Sequence, residues 1–87
     1  MSVELTVSVR YFAGARAASG VNQESVAVPA GSTVQDMLVT LGARHGDELS
    51  RVLTASSFLL DGVAVRDRSV SITNGAELDV LPPFAGG

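Results

Sequence analysis

The 87-residue chain contains no cysteine, no lysine and no tryptophan. Without cysteine it has no disulfide, no thiolate metal ligand and no cysteine nucleophile. Without lysine, no side-chain amine serves Schiff-base chemistry, acetylation or self-conjugation. His45 is the single histidine, which leaves no His-rich metal cluster and no serine–histidine relay with a spare. No metal site is expected. No apolar run approaches the roughly 20 residues of a membrane span. The N-terminus lacks a basic segment leading into an apolar one, so neither membrane nor secretion is expected and a cytoplasmic location is. Net charge is −3, and the six arginines are dispersed without a basic run. That pattern argues against a nucleic-acid partner. The residue types on which most active sites depend are largely missing.

What is present is apolar patterning. With 46% hydrophobic residues the chain has ample material for one packed core, and its length allows only one. Val3 to Phe12 opens with Val3, Leu5, Val7 and Val9 alternating with Glu4, Thr6, Ser8 and Arg10. A period of two over eight residues predicts a half-buried strand. Ala13 to Gly20 is rich in small residues and reads as one helical turn or a loop. Glu24 to Val28 alternates again, with Val26 and Val28 inward, and Pro29-Ala30-Gly31 ends it as a turn. The two strands pair naturally as a hairpin.

Ser32 and Thr33 offer an N-cap oxygen, and Asp36 stands three residues after Thr33 as a capping-box variant. Val34, Met37, Leu38 and Leu41 form one apolar helical stripe, with Gly42 and Gly46 at its end. Asp47 to Leu53 adds a short second turn carrying Leu49, Val52 and Leu53. Phe58-Leu59-Leu60, Asp61-Gly62 and Val63-Ala64-Val65 read as a hairpin on a type I′ turn. Asn74-Gly75 precedes the last strand, Glu77 to Leu81, with Leu78 and Val80 inward and Glu77, Asp79 and Leu81 outward. The order predicts an α+β fold: a mixed sheet of about four or five strands packed on one main helix, the ubiquitin-like β-grasp. The domain spans residues 1–81, and 82–87 form an extended tail in which Pro82-Pro83 gives a stiff exit.

The run Leu81-Pro82-Pro83-Phe84-Ala85-Gly86-Gly87, the strand end Arg10-Tyr11-Phe12-Ala13, the Gly31-Ser32-Thr33-Val34 helix start, Asp61-Gly62 and Asn74-Gly75 together resemble the MoaD/ThiS family of sulfur carriers. Within it they are most similar to the branch that forms the small subunit of molybdopterin synthase. The likeness spans the whole chain, and its specific part is the closing run. It implies that the carboxylate of Gly87, with Gly86 before it, is adenylated by an activating enzyme that uses ATP. A sulfur donor then converts the acyl-adenylate to a thiocarboxylate. The tail enters the large synthase subunit and delivers sulfur to a cyclic pterin precursor in molybdenum cofactor biosynthesis. No cofactor is held permanently, and the carrier has no complete active site of its own.

The residues suit that role. A tail without Cβ atoms at its end is slim, and six residues from Pro82 reach at most about 20 Å. Parity places Phe12 and Leu81 on the outer face of neighbouring strands, where they would form one apolar patch near the tail. Pro82, Pro83, Phe84 and Ala85 join it as partner-binding residues. Outward Glu77 and Asp79 face a basic partner surface, and Arg10, Arg66 and Arg68 offer themselves to acidic groups. His45 reads as solvated or paired with a helix dipole. Asp61, Asp67 and Asp79 read as solvated or turn-forming rather than as a catalytic pair. Three rival functions remain open: a carrier serving thiazole or cysteine synthesis, a ubiquitin-like modifier joined to target lysines, and an interaction module with an inert tail.

Overall fold

The computed structural model describes residues 3–83. Eight elements follow in order: β1 (Glu4–Tyr11), α1 (Ala13–Ser19), β2 (Gln23–Pro29), α2 (Val34–His45), α3 (Asp47–Ala55), β3 (Ser57–Leu60), β4 (Val63–Ala64) and β5 (Glu77–Leu81). The strands form one five-stranded sheet in the order β2-β1-β5-β3-β4. β1 pairs antiparallel with β2 and parallel with β5, so the sheet is mixed, as the element order predicted. β5 also pairs antiparallel with β3. The last strand in the sequence thus lies at the centre of the sheet.

One face of the sheet carries the core. Val7, Val9 and Tyr11 of β1, Val26 and Val28 of β2, and Leu78 and Val80 of β5 are all buried, together with Phe58 of β3. Against them pack Val34, Met37, Leu38 and Leu41, the predicted stripe of α2. Thr33 caps α2 reciprocally. Its hydroxyl accepts from the Asp36 amide at 3.1 Å, while Asp36 Oδ2 accepts from the Thr33 amide at 3.0 Å. The backbone groups left orphaned by the helix start are satisfied in this way.

α2, 12 residues long, is the main helix, and the two short segments expected as turns are helices in their own right. The small-residue segment after β1 is a two-turn helix, α1, whose Ala15 is buried, and Asp47–Ala55 forms a separate helix, α3, burying Leu49 and Leu53. α1 packs on α3, and α3 on α2. Small side chains let α1 lie close over its neighbour, a gain that single-segment periodicity does not register.

Both turns are of the kind expected. Asp61 and Gly62 have φ of 50° and 81°, the pair of positive values that a two-residue hairpin matching strand twist requires. Asp61 also fastens this turn to β5, its Oδ1 accepting from the Glu77 amide at 2.9 Å. The Asn74-Gly75 turn is tied to β1: Asn74 Oδ1 accepts from the Thr6 amide at 2.8 Å, and the Gly75 amide donates to the Thr6 carbonyl at 2.8 Å.

Candidate functional site

β1 and β5 run side by side and in the same direction, so their C-terminal ends emerge together. Tyr11 stands opposite Val80 in the register. Phe12 follows β1 with extended dihedrals and serves as N-cap of α1. Its amide donates to the Val80 carbonyl at 3.3 Å. Ala13 then turns the chain into the helix at φ 49°, a left-handed conformation that costs energy for a residue with a Cβ. On the neighbouring strand Leu81 leads into Pro82 and Pro83.

Phe12, Leu81, Pro82 and Pro83 line one open hollow of about 610 Å³, with Ala13, Ala55 and Ser57. Phe12, Leu81 and Pro82 are half-buried and Pro83 is exposed. A second hollow of about 460 Å³ lies alongside, sharing Ala13, Ala55, Pro82 and Pro83 and adding Gly14, Arg51 and Val52. The structure therefore brings together four of the residues that parity and the proline lead-in singled out. Phe84, Ala85, Gly86 and Gly87, the remainder of the candidate site, lie outside the described residues. Ala13, Ala55 and Ser57 were not anticipated. They reach the hollow through the packing of α1 on α3 and the start of β3, contacts distant in sequence that carry no local signal.

The outer face of the sheet beside this hollow differs from the expectation. Asp79 points outward as parity requires, but it is neither solvated nor free for a basic partner. Only 5% of it is exposed, because Arg10 lies across it. Arg10 Nε donates to Asp79 Oδ1 at 2.7 Å and Nη2 to Oδ2 at 2.9 Å. Glu77 Oε1 stands 3.2 Å from Nη2. The hydrogen bond to Asp79 raises the guanidinium pKa above its usual value against the opposing effect of burial, and the charges of Asp79 and Glu77 add to the rise. Arg68 is likewise engaged within the molecule, its guanidinium 5.0 Å from the centre of the Phe58 ring.

His45 also departs from its reading. It sits in the last turn of α2, but its imidazole is mostly buried, edge-on to Tyr11 with ring centroids 5.8 Å apart. Its Nε2 meets Glu24, which also accepts from the Tyr11 hydroxyl at 2.6 Å and from Arg44 at 2.9 Å. Burial pushes the Glu24 carboxyl up, yet the bonds from Tyr11, His45 and Arg44 outweigh it and hold the group below the usual value. Burial and the bond to Glu24 push the Tyr11 phenol far up. This cluster fastens α2 to the edge of the sheet, and none of its residues lines the hollow.

Among the described residues no group of three or more His, Asp or Glu side chains is placed to hold a metal ion, and no helix is long and apolar enough to cross a membrane. Among the described residues, those lining the larger hollow include no titratable side chain. The arrangement offers an apolar seat at the root of the segment that continues from β5.

The description of the ThiS family matches residues 9–87. The chain is 30% identical over 84 residues to the molybdopterin synthase sulfur carrier subunit of Chlamydomonas reinhardtii, covering 95% of this chain and 100% of that one. Among solved structures, a Haloferax volcanii protein determined in solution superposes with a TM-score of 0.83 at 28% identity, covering 97% of this chain and 88% of that one. The crystal structure of small archaeal modifier protein 1 from H. volcanii superposes at 0.81 with 26% identity, covering 92% and 99%. A β-grasp sheet bearing an apolar seat at the root of its closing segment, matched along nearly its whole length, makes this chain a member of the ThiS family, the MoaD/ThiS sulfur carriers.

Proposed function

We propose that this chain is the sulfur-carrier subunit of a molybdopterin synthase, acting in the cytoplasm. The observation that carries the reading is the end-to-end match to the algal carrier subunit. A carboxylate is a poor electrophile, so sulfur transfer begins by giving it a leaving group. One oxygen of the Gly87 carboxylate attacks the α-phosphorus of ATP on an activating enzyme, and pyrophosphate departs. Hydrosulfide (HS⁻) released by the donor then attacks the acyl carbon; the C–S bond forms as the C–O bond to AMP breaks, and loss of the sulfur proton leaves the thiocarboxylate. This sulfur passes to the cyclic pterin precursor in the large subunit. Gly86 and Gly87 supply slimness, Phe84 and Ala85 add partner-binding side chains, and the Phe12–Leu81–Pro82–Pro83 hollow seats the domain on its partner. The carrier binds no cofactor of its own.

Because the chain has no cysteine, acquired sulfur has one place to reside. Incubation with an activating enzyme of this family, ATP and a sulfur donor should raise the intact mass by one oxygen-to-sulfur exchange, and fragmentation should place it on Gly87. Adding the large subunit and cyclic pterin precursor should restore the original mass as dithiolene product forms. Absence of any thiocarboxylate would overturn the carrier reading, whereas discharge only to a thiazole or cysteine pathway would overturn the molybdopterin assignment. The likeness to small archaeal modifier protein 1 favours a second reading, in which the same activated carboxylate is attacked by a target lysine. Diglycine-linked lysines on other proteins would identify it.

A further inference from the structure

We propose that Arg10 is a positioning residue for the docking face: held by Asp79, its guanidinium fixes the Phe12 ring at the rim of the apolar hollow. The inference rests on the reading that this face seats the large synthase subunit.

Phe12 needs an external hold. Its backbone is held by the Val80 carbonyl and by the start of α1, but it stands beyond the last residue of β1 and is only half-buried, so its ring lies at the open rim. The Arg10 guanidinium lies 5.6 Å from the centre of the Phe12 ring, within the range of a cation–π contact. Arg10 is itself immobilised. Parallel pairing places it opposite Asp79, and the two side chains meet through two nearly parallel bonds of 2.7 and 2.9 Å, a fork that fixes the guanidinium plane. Glu77 adds a third oxygen. Asp79 has little freedom to yield, since only 7% of its side chain is exposed against 41% for Arg10. A carboxylate so covered is costly unless paired. The order of dependence runs from buried Asp79 through Arg10 to the Phe12 ring, and Leu81, two residues after Asp79 on the same face, forms the opposite lip.

The test uses the full chain and the large subunit of molybdopterin synthase. Arg10→Met should shift the Phe12 ring-proton resonances of the free carrier and weaken the complex roughly two- to fivefold, the range of an exposed cation–π contact. Arg10→Met/Asp79→Leu, which leaves no orphaned carboxylate, should do the same and serves if the single variant fails to fold. In a Phe12→Ala background either change should cause no further loss of affinity, because the ring through which Arg10 acts is gone. Unmoved ring resonances, unchanged affinity, or a loss that simply adds to that of Phe12→Ala would overturn the proposal. Phe12→Ala alone separates the two levels. If it binds weakly while the Arg10 variants bind normally, only the positioning role falls; if it binds normally, the docking reading falls and the positioning role with it.

Discussion

Among the described residues, Glu24 gathers three side-chain partners. It accepts from three residues on two elements: Tyr11 at the end of β1, and Arg44 and His45 at the end of α2. A carboxyl whose folded pKa is depressed contributes stability above its unfolded value and loses it as pH falls through the folded one. Glu24 is of this kind, with an ordinary value of 4.5. Glu24→Gln should therefore be less stable than the parent at neutral pH, by about 1–3 kcal/mol for hydrogen bonds to a charged group. The gap should narrow once the pH drops below that ordinary value. Urea melts from neutral pH to strong acid would check this, and a gap independent of pH would refute it. Residue-scale readings from the sequence were weakest here. Parity told which face Asp79 occupies, but not that Arg10 would lie over it. Helical spacing put His45 at a helix end, but not beside Tyr11 and Glu24. A face is a local property, whereas what covers it is decided by segments far away in the chain.

At the scale of elements, the signals that proved legible are those in which one segment carries its own reason. The alternation of β1, the stripe of α2, the Asp61-Gly62 turn and the inward pair of β5 each follow from local geometry and burial. The Thr33–Asp36 box belongs with them, and it predicts its own contribution: Thr33→Ala removes the hydroxyl that accepts from the Asp36 amide. Losing such a cap typically costs about 1 kcal/mol. The expected result is a lower denaturation midpoint with unchanged activation of the tail, since neither Thr33 nor Asp36 lines the hollow at the root of the tail. An unchanged midpoint would mean that the Asp36 side chain alone suffices. α1 was less legible because a run of alanines and glycines has no apolar period to display. The walls that α1 and α3 lend to the hollow were not legible at all. They exist only once the two helices meet.

For the whole molecule the governing fact is the strand order, with β5 between β1 and β3. Removing it would leave β2-β1 and β3-β4 as two separate hairpins, neither large enough to stand alone. A fragment ending at Gly75 should accordingly show the amide spectrum of an unfolded chain; a dispersed, native-like spectrum would refute the central role given to β5. The same fact has a consequence in time. Synthesis presents β1 first and β5 last, and contacts so distant in sequence form slowly. The sheet centre therefore closes only when the final strand inserts. That one event buries Leu78 and Val80, brings Leu81 beside Phe12 and brings Asp79 under Arg10. A partially made or unfolded chain therefore lacks the hollow that these strands assemble. Under the function proposed above, completion of folding is then the licence for chemistry at the tail.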